Sequence, residues 1–232
     1  MTRLARLEHA HEYLDEASHD VAVLEESLDD VAAVNRWLGG TRALLRHLPE
    51  LLPVRRPARL LDAGTGSGDL PRAIVRWARH HDRELRITAT DLHPQILEIA
   101  RRRSKGYPEI TFERADVLAL PYADGAFDVA LLSLTLHHLE GADAVTALRE
   151  LGRVARCGIL VGELERNWPA YLGARILAAT VWRRNRLTRH DGPISVLRAF
   201  TPEELLGLAR QAGLGEARVY RHPIFRLVLA AR

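Results

Sequence analysis

The chain has 232 residues, 47% of them hydrophobic and 27% charged, proportions that suit one globular domain and exclude a disordered polymer or a fibrous repeat. Its 33 basic and 30 acidic residues leave a net charge of +3, and Lys105 is the only lysine, so the basicity reads as an arginine bias of composition, with nucleic acid not inferred as a partner. One cysteine, Cys157, excludes a disulfide framework and a cysteine-rich zinc site. Charges among residues 1–9 leave no apolar stretch for a secretory leader, and no later segment offers the roughly 20 apolar residues of a membrane span, so a cytoplasmic protein is expected.

From residue 4 to about 52, apolar residues recur at helical spacing with a break at Gly39-Gly40, which predicts a helical cap over 1–52. Pro53, Pro57 and the arginines between them predict a stiff connector into a strand at 58–62. A helix at 69–80, a strand at 85–91 and a helix from Pro94 follow. Strands at 110–114, 127–132 and 158–163 come next, with a helix at about 142–153. Alternation of this kind predicts βαβ units and a parallel sheet, in an α/β fold. A helical insertion is expected from 168 to about 186, then a loop at 188–200. The run Thr201-Pro202-Glu203-Glu204 carries the signals of a helix start, and strands at 217–220 and 225–230 end the series. The chain divides into a cap (1–52), a core (58–163), an insertion with its loop (164–200) and a C-terminal helix with strands (201–232).

The strongest motif is Asp62-Ala63-Gly64-Thr65-Gly66-Ser67-Gly68-Asp69, where a strand ending in an acid turns through three alternating glycines into a helix. Glycines admit positive φ and a close ligand approach, and the helix start offers free N–H groups. A dinucleotide fingerprint would need glycine where Asp69 stands, and a pyrophosphate would meet carboxylates on both sides of the loop. Acids at both edges suit a ligand bearing a cationic amine. Asp91, in Thr90-Asp91-Leu92 at the next strand end, can accept two ribose hydroxyls. Ala115-Asp116-Val117 and the strand ending at Ser133 aim at the same sheet edge.

These residues, with Leu120-Pro121-Tyr122, Phe127-Asp128, Leu136-His137-His138 and Leu148–Val154, resemble the class I S-adenosylmethionine-dependent methyltransferases, especially the group of ubiquinone and menaquinone biosynthesis enzymes. The resemblance spans 58–163. It implies a Rossmann-like sheet, mostly parallel with an antiparallel C-terminal strand, carrying an N-terminal helical cap and a helical insertion. It also implies S-adenosyl-L-methionine as cofactor, with the glycine loop (Gly64, Thr65, Gly66, Gly68) along its methionine part, Asp62 beside it, Asp91 and Leu92 at the ribose, and Asp116 and Val117 at the adenine. The chain departs from the family at Ala155-Arg156-Cys157-Gly158, where a glycine-rich turn is usual, and a distal loop is the expected place of that change.

Methyl transfer needs nucleophile, methyl and sulfur held in line and water excluded. A phenol or enol acceptor must also lose a proton. His138 is the first candidate for that base, matching the family's recurrent histidine, and His137 is the second; a structural hydrogen bond is the alternative. In the loop expected at 188–200, His190, Asp191, Arg198 and Phe200 are candidates to face the acceptor, against a salt bridge between Asp191 and Arg198 and an anchoring role for Phe200. Arg36 is a candidate for the cofactor carboxylate, against a plain helix end with Trp37 buried. The apolar run 171–182 would line an oily acceptor pocket or simply pack. No metal-ligand spacing stands out. The expected activity is O-methylation of a small hydroxylated aromatic or polyketide-like acceptor. C-methylation of a quinone ring, an RNA-modifying or RNA-binding protein and a non-catalytic cofactor binder are the alternatives, and a homodimer is compatible with all of them.

Overall fold

The computed structural model describes residues 4–16, 18–53 and 57–232, so the arginines of the expected Pro53–Pro57 connector lie outside the described residues. Seven strands form one sheet in the order β3-β2-β1-β4-β5-β7-β6. They are β1 (Ala58–Ala63), β2 (Leu85–Asp91), β3 (Ile110–Arg114), β4 (Phe127–Ser133), β5 (Ala155–Leu164), β6 (Arg218–His222) and β7 (Arg226–Ala231). Strands β1 to β5 pair in parallel, and β7 runs antiparallel to both β5 and β6. The order reverses between β1 and β4, which opens a crevice at their carboxyl ends. Register brings Ala63 beside Thr90 and Leu132, Ser133 beside Gly162, and Leu164 beside Arg226, so these strand ends share one edge.

The central strands are apolar on both faces because helices cover both. Leu61, Ala130, Leu132, Val161 and Leu229 face α5 (Gly141–Val154) and α8 (Pro202–Gln211). Their neighbours Leu60, Val129, Leu131, Leu160 and Val228 face α2 (Gly40–His47) and α3 (Asp69–His80). The alternation follows the two-residue period of a strand. Helix α1 (Val21–Trp37) buries Leu24 and Leu28 against Ile96 and Ile99 of α4 (Pro94–Arg103). Strand β5 begins directly after α5, so Ala155-Arg156-Cys157-Gly158 lies at the sheet edge remote from the crevice.

Two expectations need correction. Among the described residues of 4–20 the chain is not helical beyond a 3-10 turn at Tyr13–Asp15; it is a strap held by Leu7 N donating to Leu197 O at 3.0 Å and Arg6 Nε to Arg198 O at 2.8 Å. The loop expected at 188–200 is instead helix α7 (Arg186–Arg198), which follows α6 (Trp168–Ala179). Gly192-Pro193 reads as a breaker, yet Pro193 is buried within the helix. A Cβ at Gly192 would lie 2.5 Å from the Trp182 ring, so the glycine is what lets that ring close on α7. Asn185 caps the helix start, accepting from Leu187 N and Thr188 N. Tertiary packing thus outweighs local propensity here.

Of the glycines in the β1–α3 turn, Gly64 has φ +63° and a Cβ there would meet the Thr135 hydroxyl at 2.5 Å, whereas Gly66, φ +54°, faces open space. Gly64→Ala should therefore lower stability by about 2 kcal/mol or more, combining φ strain with a clash, while Gly66→Ala costs about 1 kcal/mol. Urea melts of both variants check this difference.

Candidate functional site

The crevice is built by the turn after β1. Thr65 N donates to Thr90 O at 2.7 Å and Gly66 N to Asp91 Oδ2 at 3.0 Å, which fastens the glycine loop to the end of β2. Asp91 Oδ1 accepts from His93 N at 3.0 Å, so each oxygen keeps a lone pair for a hydroxyl of a ligand. Burial raises the Asp91 pKa against these bonds. Asp62 is buried, its Oδ2 has no hydrogen-bond partner, and burial pushes its carboxyl up to about 7, with Asp69 and Asp91 adding to the rise and the Thr65 hydroxyl opposing it.

Three carboxylates around a loop open at Gly66 form a cradle for a cation and repel a pyrophosphate. An orphaned acid with a raised pKa fits an ammonium, and Asp91 fits a ribose. Leu92 is 54% exposed beside Asp91 and presents an apolar surface. Asp116 Oδ1 accepts from Leu118 N at 2.9 Å and so shapes its own turn, while Val117 packs against the core and Ser133 ends β4 at the same edge. Arg36 is exposed and stacks over the ring of Trp37, which is itself 72% exposed and not buried as the alternative reading expected. The buried neighbour Asn35 is the residue of this helix end that reaches the glycine turn, with Nδ2 donating to Asp69 Oδ2 at 3.4 Å.

Beyond the crevice lies an apolar cavity of about 420 Å³. Its walls come from α1 (Val31, Val34), Leu134, Leu164, α6 (Ala170, Gly173, Ala174, Ile176, Leu177), Trp182, α7 (Thr188, Gly192, Val196) and the β6–β7 hairpin (Ile224, Phe225, Arg226). Part of the 171–182 run thus lines it. Leu134, at φ +53°, bonds to Gly162 O at 2.8 Å and turns the chain from β4 into a 3-10 turn at Leu136–His138. That reversal puts Thr135 on Gly64 and both histidines in the cavity wall.

His137 is buried, and its Nδ1 lies 2.7 Å from Oε2 of fully buried Glu163. Burial opposes ionisation of Glu163, but His137 and His138 hold its pKa below the usual carboxylate range. Nε2 of His137 is 3.9 Å from Oε1 of buried Glu12, an oxygen without a hydrogen-bond partner. His138 Nδ1 bonds Asp15 Oδ1 at 2.9 Å and its Nε2 lies 3.8 Å from Glu12 Oε2. Burial alone would lower the His138 pKa, but Glu12 and Asp15 raise it to about 9. Glu12, His137 and His138 offer ligand atoms within 4.8 Å of one another, a grouping able to approach one metal ion that sequence spacing does not disclose. Neighbouring ligands of one zinc ion lie about 3.4 Å apart given bonds near 2.1 Å, so the trio would have to contract.

The acceptor-facing candidates of 188–200 have other tasks. Asp191 accepts from Tyr13 N (2.8 Å) and Leu14 N (3.0 Å) and bonds His190, whose ring stacks on Tyr13. Asp191 still lines the cavity. Arg198 is buried and donates to His137 O, His138 O and Ala10 O, with Glu12 and Asp15, not Asp191, as its nearest acids. Phe200 sits in the main core, with Arg6 over its ring at 4.4 Å, so its anchoring role replaces the acceptor contact. Glu12 and Arg226 went unnoticed in the sequence, and Asn35 was passed over for its neighbour Arg36. Only Arg226 had a visible signal, a charge opening an otherwise apolar strand.

Comparison with known proteins agrees with this geometry. A methyltransferase domain model matches residues 60–158. The chain is 38% identical over 130 residues to a malonyl-(acyl-carrier protein) O-methyltransferase of Halorhodospira halophila, covering 56% of this chain and 40% of that one. It is 30% identical over 190 residues to a 2-phytyl-1,4-naphtoquinone methyltransferase of Thermosynechococcus vestitus, covering 77% and 81%. For several other curated relatives, as for the first of these, the chain spans less than half of the relative's length. In fold it is similar to a SAM-dependent methyltransferase of Aquifex aeolicus, with TM-score 0.63, 15% identity and coverage of 92% and 98%. No helix among the described residues is long and apolar enough to cross a membrane. The chain belongs to the class I S-adenosylmethionine-dependent methyltransferases and, within them, resembles the ubiquinone and menaquinone biosynthesis group.

Proposed function

We propose that this chain transfers a methyl group from S-adenosylmethionine to an ionisable hydroxyl of a small, largely apolar acceptor, with His137 taking the proton. The observation that carries the reading is the buried Glu163–His137 pair in the wall of an apolar cavity beside the glycine crevice. When bound, the cofactor supplies a methyl carbon made electrophilic by its sulfonium. Asp62 would meet its cationic amine, Asp91 its ribose, and Leu92, Asp116 and Val117 its adenine.

The Nδ1–H of His137, donated to Glu163, fixes the tautomer and leaves the Nε2 lone pair free; Glu163 also stabilises the imidazolium that forms. Glu12 and Asp15 raise the His138 pKa to about 9, which favours its protonated form at neutral pH and supports His137 as the base. His138 would instead favour a developing acceptor anion. This reading prefers His137 to His138, the first candidate from the sequence. The apolar walls exclude water, which protects an in-line displacement.

A second reading is methylation of a ring carbon of a quinol, favoured by the relative named for a naphthoquinone and matched over most of its length. His137 would then take the phenolic proton. Transfer that survives blocking of the acceptor hydroxyl would select this reading.

His137→Gln should lower kcat about 10²–10³-fold while leaving the affinity for S-adenosylhomocysteine unchanged, as read by single-turnover assays and calorimetry. Activity should also withstand chelators; loss on chelation with rescue by zinc would assign Glu12, His137 and His138 to a metal ion.

The His138 pKa, about 9 in the folded chain against 6.5 in its ordinary state, implies stability that is full below pH 6.5 and lost as pH rises through 9. His138→Gln should flatten denaturant-derived stability across that window.

Asp62, raised from 3.8 to about 7, acts with the same sign in a lower window: rising pH between these values costs stability. An ammonium beside it would reverse the shift. Cofactor binding near pH 6.5 should thus release a proton, seen as buffer-dependent calorimetric heats, and Asp62→Asn should abolish the release.

A further inference from the structure

Arg226 opens β7 and is 1% exposed. Among the described residues its Nε and Nη1 have no hydrogen-bond partner, and Nη2 reaches only Val34 O at a long 3.5 Å. The acid that acts on its charge is Glu163, but that carboxylate is committed to His137, through Nδ1 at 2.7 Å and the backbone N–H at 3.3 Å. Burial lowers the guanidinium pKa to about 10, partly offset by Glu163, so the group stays charged at neutral pH. An unmet buried guanidinium is among the costliest groups a fold can hold, and a bound ligand would account for its presence.

The surroundings define that ligand. Arg226 lies where the 420 Å³ cavity meets a small gap lined by Asn35, Ser133, Leu134 and Glu163, between the acceptor space and the glycine crevice. The chain holds it there through Ile224 and Phe225, at φ +59° and +57°, a conformation that bulky side chains rarely adopt and that hairpins usually give to Asn-Gly. Glu12, Glu163 and Asp191 in the same region disfavour a dianion such as phosphate. A single negative charge on an otherwise apolar molecule fits one unmet guanidinium.

We propose that Arg226 is the receptor for a carboxylate entering this junction. The carboxylate belongs either to the acceptor or to the methionine end of the cofactor; the second source rests on the S-adenosylmethionine reading above, the first does not.

Calorimetry on the full chain tests both sources with matched probes. Cinnamate against cinnamamide, titrated with S-adenosylhomocysteine present, reads the acceptor side. S-adenosylhomocysteine against 5′-methylthioadenosine reads the cofactor side. Arg226→Met should weaken the carboxylate-bearing member of one pair at least tenfold and leave its partner unchanged. The pair affected names the source. Arg226→Met should also raise Tm, because an apolar side chain of similar length replaces a buried charge. If it fails to fold, Arg226→Lys takes its place, with a several-fold loss expected in the same single member. Equal affinities of each pair's members in the variant and the wild type, or equal losses for both members, would overturn the proposal. Failure of S-adenosylhomocysteine to bind the wild-type chain would instead sink the cofactor reading and leave the cinnamate test standing.

Discussion

The cavity side of this molecule hangs on one buried guanidinium. Arg198, at the end of α7, donates to the carbonyls of His137 and His138 and to that of Ala10, and so joins segments 60 to 188 residues apart in the chain. Backbone carbonyls crowded at a tight turn are poor neighbours for one another, and a charge with several donors is the side chain that can satisfy them together. Around it, Glu12 and Asp15 balance the charge while facing the histidines. Removing Arg198 would leave buried Glu12, exposed Asp15 and three carbonyls with less than their full partners, which is why a residue outside the cavity governs its shape.

The two halves of the site meet in five residues. Leu134 turns the chain, Thr135 closes on Gly64, Leu136 is buried, and His137 and His138 face the cavity. The glycine turn is in turn fastened to β2 by its bonds to Thr90 and Asp91. Any movement of the cofactor loop therefore presses on the turn that carries the histidines. The electrostatics differ between the halves: the crevice gathers Asp62, Asp69 and Asp91 around an open loop, while the cavity sets acids against histidines inside apolar walls.

Much of the sheet was legible in the sequence because its rules are local. The 69–80 helix and the 85–91 strand follow from periodicity and punctuation, and the acids at strand ends follow from how parallel sheets bind ligands. The acceptor side was not. Gly192-Pro193 signals a loop, and only the Trp182 ring packed on Gly192 explains the helix found there. Arg198 and Phe200 are polar and aromatic in a segment that looked like a binding loop, yet they pin and anchor it. Glu12 belongs to a segment with no motif, and its meeting with His137 spans 125 positions, a long-range contact that no spacing encodes.

The cavity wall runs from Glu12 to Arg226, and β7, inserted between β5 and β6, is its last contributor in the chain. During synthesis the strands of the cofactor crevice emerge first and can pair by residue 164, whereas the apolar cavity has no closed wall until residue 226 has left the ribosome. A nascent chain would thus pass through a stage with the crevice formed but the cavity still open, and the apolar surfaces of α6 and α7 would stay uncovered for that interval.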